Sequence, residues 1–157
     1  MNWDEQKYDE FAKQMETKYP DMFGQPYGGF AVGVGWWPII EELCAEIDAY
    51  TKWRNNTRAA LLKDNPYKQK IPKEVTPVKV AQIKEKFGGL RFYYDGGDDE
   101  ISGMVRMAER WAGRSCETCG KPGRRRDGGW IRTLCDEHEA EHQARIAEQA
   151  RKDGLEI

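Results

Sequence analysis

No run of 18 apolar residues occurs anywhere in this 157-residue chain, so a membrane-spanning helix is not expected. The formal net charge is only −2, which offers no global field for a polyanion. Histidine is scarce, at two residues, leaving little material for imidazole-based acid–base catalysis. Cysteine is scarce as well, at four, and its spacing is that of metal ligands rather than of a disulfide framework. The stretch Met1 to Glu10 is polar where a secretion signal would be basic and then apolar. Together these absences lead us to expect a cytoplasmic protein with reduced thiols.

What is present is a wet surface around an aromatic interior, with 33% charged and 11% aromatic residues, six of them Trp. The charges are unevenly spread. Residues 1–50 carry 3 cationic and 10 acidic side chains, residues 51–115 carry 14 and 8, and residues 116–157 carry 8 and 9. The length suits one core with a small annex, and we expect residues 1–115 to form the core and 116–157 the annex.

Periodicity predicts a helix over 3–18, with Tyr8, Phe11, Ala12 and Met15 on its apolar side and Asn2 with Glu5 as a capping box. The Gly-rich stretch from Gly24 to Gly35, in which Phe30, Val32 and Val34 alternate, predicts a short extended segment. It lacks the glycine spacing of a nucleotide-binding turn. Pro38 suits the first turn of a second helix, over 38–53, with Ile40, Leu43, Cys44 and Ile47 as its stripe. Cys44 on that stripe reads as a small hydrophobe.

Residues 54–76 read as a basic loop broken by Pro66 and Pro72. From 51 to 73 there are seven cations against the single acid Asp64, with Trp53 and Tyr67 among them. Lys52, Arg54, Arg58, Lys68 and Lys70 are therefore candidate contacts for an anionic partner, a solvated helix end and loop being the plainer alternative. A hairpin over 78–94, turning at Gly88 and Gly89, should place Leu90, Phe92 and Tyr94 on the core and Arg91 and Tyr93 outside. A helix over 99–114, capped by Asp98 or Asp99, should bury Ile101, Met104, Val105, Ala108 and Ala112.

The most specific signal is CETCGKPG from Cys116 followed by TLCDEH. Cys116 with Cys119, and Cys135 with His138, are two ligand pairs each separated by two residues, and 15 residues lie between the pairs. Two such pairs suit one tetrahedral zinc ion. Arg124 to Arg126 and Trp130 to Leu134 can form the intervening hairpin, with Asp127 to Gly129 as its turn and the second pair opening a helix. This is the order of a treble clef. His142, one turn beyond His138, is an alternative fourth ligand. Four protein ligands fill the ion's coordination, so the zinc should be structural. Arg124 and Arg126 on the hairpin add to the candidate anion contacts, with alternation turning Arg125 away. The expected fold is thus α+β, with helices covering a small, mainly antiparallel sheet and a C-terminal treble-clef-like zinc module.

The segments GVGWWPIIEELC, QIKEKFGGLRFYY, GMVRMAER and CETCGKPG with GGWIRTLCDEH, in this order over residues 28–140, resemble a family of small bacteriophage- and prophage-encoded proteins, most of them without an assigned function. The resemblance implies an accessory protein working in the host cytoplasm, and with the surplus aromatics it suggests docking on a host protein to modulate a defence or regulatory system. Nucleic-acid binding through the basic stretch and zinc hairpin is the second expectation. A treble-clef nuclease is the third and weakest, because both His residues fall in or beside the metal site.

Overall fold

The computed structural model describes residues 4–154. Asn2 and Trp3, on which the expected capping box and helix start rest, lie outside the described residues. Asp4 instead caps the first helix, α1 (Glu5–Lys18), its side chain accepting from the Lys7 amide at 3.3 Å. Phe11 and Met15 are the buried side of α1. Phe11 stacks flat on Trp37, with ring centroids 4.4 Å apart. Tyr8 fixes the helix by donating to the Val32 carbonyl at 2.6 Å. Pro20 opens a single further turn, α2 (Pro20–Phe23), which buries Met22 and Phe23.

The alternating Gly-rich segment is extended over only two residues, β1 (Phe30–Ala31), before a 3-10 turn (Val34–Trp36) feeds α3 (Trp37–Lys63). As the sequence predicts, Pro38 sits in the first turn of α3, and Ile40, Leu43, Cys44 and Ile47 are buried. The helix runs ten residues past its expected end at Trp53, so the basic loop of 54–76 is helical in its first part. Ala59, Ala60, Leu61 and Leu62 are good helix formers, and the stop comes only where Pro66 disfavours helical geometry at Asn65. The remaining loop is tied back to the helix. Asn55 donates to and accepts from the backbone of Val75, both at 2.9 Å, and Arg58 donates to the Pro72 carbonyl at 2.8 Å.

Two longer strands complete the sheet, β2 (Lys79–Lys86) and β3 (Gly89–Asp95), in the order β1-β2-β3. β2 and β3 are antiparallel, whereas β1 runs parallel to β2, pairing Phe30 with Ile83. Leu90 and Phe92 are buried and Tyr94 half-buried, while Tyr93 is exposed, as alternation requires. The turn differs from the expected Gly-Gly pair. Lys86 pairs with Gly89, so the two-residue loop is Phe87–Gly88, with φ of 52° and 74°. Such a loop needs left-handed residues, and Gly88 takes the second place because a Cβ there would lie 3.3 Å from the Arg132 backbone.

The fourth helix, α4 (Asp99–Ala112), is capped by Asp98, which accepts from the Ile101 amide at 3.1 Å and from the Tyr50 hydroxyl at 2.8 Å. Ile101, Val105, Ala108 and Ala112 face the core, whose centre also holds Trp36, Met15, Ile40, Ile83 and Leu90. The chain is an α+β protein with a small mixed sheet. None of its described helices is long and apolar enough to cross a membrane.

Beyond α4 comes a second, smaller unit: a short hairpin of β4 (Arg124–Arg126) and β5 (Arg132–Leu134), then α5 (Asp136–Lys152). Trp130 and Ile131, expected in the second strand, belong to its loop instead. Pairing of Arg126 with Arg132 fixes a five-residue connection.

Candidate metal centre

Cys116 and Cys119 lie on a turn in which the Gly120 amide donates to the Cys116 carbonyl at 2.8 Å and Gly120 is left-handed. This is the knuckle conformation. It turns the amides of Thr118 and Cys119, together with that of Cys135, toward the Cys116 sulfur. Burial works to raise the Cys116 pKa, but these three amides together with the Cys119 thiol outweigh it and the net shift is downward. At Cys119 desolvation dominates and pushes the thiol up to about 11, against one amide donor, Lys121. A cation binding here therefore displaces a proton from Cys119 at neutral pH.

The other pair comes from α5, whose N-terminal boundary is Cys135 and whose first turn carries His138. One ligand atom from each of Cys116, Cys119, Cys135 and His138 lies within 4.8 Å of the other three. The His138 Nδ1 is 3.5 Å from the Cys116 sulfur and 3.2 Å from that of Cys135, and the sulfurs of Cys119 and Cys135 are 3.9 Å apart. Metal–sulfur bonds of about 2.3 Å meeting at the tetrahedral angle put two sulfurs about 3.8 Å apart. These three separations are close to the edge lengths of such a tetrahedron, and the four donors could hold a metal ion. His142 is not part of the group. It lines a separate groove with Trp130, Arg132, Arg145, Ile146 and Gln149, and its pKa is lowered, chiefly by burial and then by Arg132.

Two features around the centre carry no local sequence signal. Glu117, between the first two ligands, is 3% exposed and paired with Arg132, which is 8% exposed. Arg132 Nε donates to Glu117 Oε1 at 2.6 Å. Burial raises the Glu117 pKa, partly opposed by Arg132, and its Oε2 has no hydrogen-bond partner among the described residues. The second feature is a cradle. Gly35 donates its amide to the Glu117 carbonyl at 2.9 Å, and Trp36 Nε1 donates to the Ser115 carbonyl at 2.8 Å. A Cβ on Gly35 would fall 2.2 Å from the Cys116 carbonyl oxygen, and one on Gly33 would fall 2.1 Å from that of Glu117. The glycines of GVGWW are therefore contact residues for the knuckle. Charged and Gly positions in CETC and GVGWW were visible beforehand, but nothing local pairs them across some 80 residues.

On the far side, the Thr133 hydroxyl donates to the Gly88 carbonyl at 2.6 Å. The knuckle and its hairpin are thus seated on the core through both the 3-10 turn and the β2-β3 loop.

The candidate anion contacts do not form one surface. Lys52 pairs with Asp48 at 2.7 Å, Arg58 is spent on the loop backbone, and Arg54 is half-buried. Arg124 and Arg126 share a side of the hairpin, as alternation predicts, but both turn to Asp136, at 3.6 and 2.6 Å. Arg126 also donates twice to the Leu134 carbonyl. Hydrogen bonding to Arg126, followed by the charges of Arg126 and Arg124, holds the Asp136 pKa below its ordinary value. Lys68 and Lys70 remain exposed on the loop beside Tyr67.

Compared with known proteins, the chain matches no family model, no curated protein and no solved structure.

Proposed function

We propose that Cys116, Cys119, Cys135 and His138 hold one structural zinc ion, and that the chain is a non-enzymatic phage accessory protein that acts in the host cytoplasm by binding a host protein. Zinc is the metal that three thiolates and one imidazole in tetrahedral array suit best. With four protein ligands the ion has no position for water or substrate, so its role is to fold the knuckle, hairpin and α5 into one body. Metal analysis of purified protein should find one zinc per chain.

The observation that carries the binding role is the apolar surface around this body. Phe87 at the tip of the β2-β3 loop is 65% exposed, and Trp130 in the hairpin loop is 69% exposed. Trp130 shares its groove with Ile146 and Arg145 of α5. Trp and Arg together with apolar anchors are the side chains that dominate protein–protein binding energy. The regulatory or defence system targeted is a matter for the partner's identity.

Nucleic-acid binding is supported less well, because Lys52, Arg58, Arg124 and Arg126 already have partners within the chain. A nuclease is supported least, since His138 is a metal ligand. The test is capture of partners from bacterial host lysate, with and without nuclease, by the wild-type chain and by Trp130→Ala. A protein retained after nuclease and lost with Trp130→Ala fits the proposal. Capture that disappears with nuclease, or falls steeply with salt, favours nucleic acid instead.

A further inference from the structure

Helix α4 has a second face that the core does not use. Glu100, Gly103, Met107 and Arg110 follow one another at intervals of three, four and three residues, the spacing of a helix–helix seam, and Arg114 follows just beyond the helix end. Met107 is 69% exposed and its neighbour Trp111 is 62% exposed, large apolar side chains on the outside of a helix whose inner stripe is already complete. Gly103 is the unusual member. Glycine inside a helix is unfavourable relative to alanine, yet a Cβ on Gly103 would meet nothing closer than the Arg106 guanidinium at 3.8 Å. Nothing within the chain requires glycine there, which points to close approach by something outside it.

The charges say what that is. The first turn of α4 is acidic, with Asp99 and Glu100, and its last turn is basic, with Arg110, followed by Arg114 just past the helix. We propose that this face is the interface of a two-fold homodimer in which α4 packs antiparallel to α4 of a second copy. A single register, centred on Val105, sets Met107 of the partner subunit opposite the Gly103 notch. The same register sets Glu100 opposite Arg110 of the partner subunit, and two-fold symmetry repeats both contacts. Parallel packing would instead oppose Arg110 to itself. Beside the seam, an apolar groove of about 720 Å³ between α3 and α4, with Leu43, Met104 and Ala108 in its lining, gives the partner's bulky side chains room. Glu42 and Glu46 on its α3 wall add acidic groups for the partner's arginines. The interface is separate from the Trp130 surface, and it stands or falls independently of the host-binding proposal.

Sedimentation equilibrium of the full chain tests the proposal. The wild type should show twice the 18.2 kDa of one chain, with a concentration-dependent dissociation. Glu100→Arg and Arg110→Glu should each raise the dissociation constant at least about tenfold, and the double variant should regain most of the affinity because each reversed charge again meets its opposite. Gly103→Leu should give monomers that keep the wild-type helical circular dichroism, since leucine favours the helix while filling the notch. A wild-type mass of 18.2 kDa at every accessible concentration overturns the proposal. So does a dimer that Gly103→Leu leaves intact, or one that the double charge reversal weakens more than either single change.

Discussion

The core and the metal-binding unit are held together by different forces. The core buries a continuous cluster in which Trp36, Met15, Ile40, Ile83 and Leu90 are almost wholly withdrawn from water. The second unit buries Cys116, Leu134 and Cys135 as its own cluster, and α5 buries no residue at all. The contrast is sharpest between two helices of similar length. α4 is fixed by Ile101, Val105, Ala108 and Ala112, whereas α5 is tied at its first turn by the bonds of Asp136 to the hairpin, with the candidate ligands Cys135 and His138 beside them. Apolar area stabilises the first in proportion to what it covers. In the second, the coordinate bonds of the proposed metal site would replace such area.

The largest expected effect separates the two directly. Stripping the metal with a chelator, or Cys135→Ala, should abolish amide protection over 116–152 while protection persists in α3, β2 and β3. Apparent binding energies for such sites are about 10 to 16 kcal/mol, more than the small cluster could replace. Hydrogen exchange read by mass spectrometry checks this, and simultaneous loss in both regions would mean that the core too depends on the ion.

Arg132→Met comes next. It leaves the Glu117 carboxylate buried without its cation, which should cost about 3 to 5 kcal/mol, whereas the paired change Glu117→Gln with Arg132→Met should cost much less. Urea unfolding of the three proteins would show the difference, and equal losses would mean that the ion pair is a minor contributor.

The smallest effect is expected at the junction. Gly35→Ala places a methyl group against the Cys116 carbonyl and should destabilise by about 1 to 3 kcal/mol through forced displacement of the knuckle. The one zinc per chain expected under the proposed function should be kept, because the candidate ligands themselves are untouched. Loss of metal together with stability would show that the cradle shapes the ligand set.

Much of this was legible in the chain because the causes are local. The two-residue spacing within each of the pairs Cys116–Cys119 and Cys135–His138, the alternation of Leu90, Phe92 and Tyr94, and the Asp98 cap are each local patterns. Most of what escaped the sequence reading depends on distant partners. The continuation of α3 past Trp53 has a local cause in Ala59 to Leu62, but its anchoring by Asn55 on Val75 and Arg58 on Pro72 is long-range. The turn falls on Phe87 and Gly88 through the pairing of Lys86 with Gly89, and a Cβ on Gly88 would crowd Ile131 and Arg132 of the distant hairpin. Arg124 and Arg126 are expected from the sequence as anion contacts, but Asp136, ten residues beyond the second of them, pairs with both.

The indole of Trp36 lies at the centre of the first unit, yet the oxygen it needs belongs to Ser115, 79 residues later. During synthesis the ribosome must therefore add 79 residues after the donor to reach its acceptor. The nascent chain can form α1 and α3 early, but it must hold a tryptophan pocket open until the knuckle emerges. Chains released before Ser115 should therefore be recognised by chaperones and proteases as unfinished.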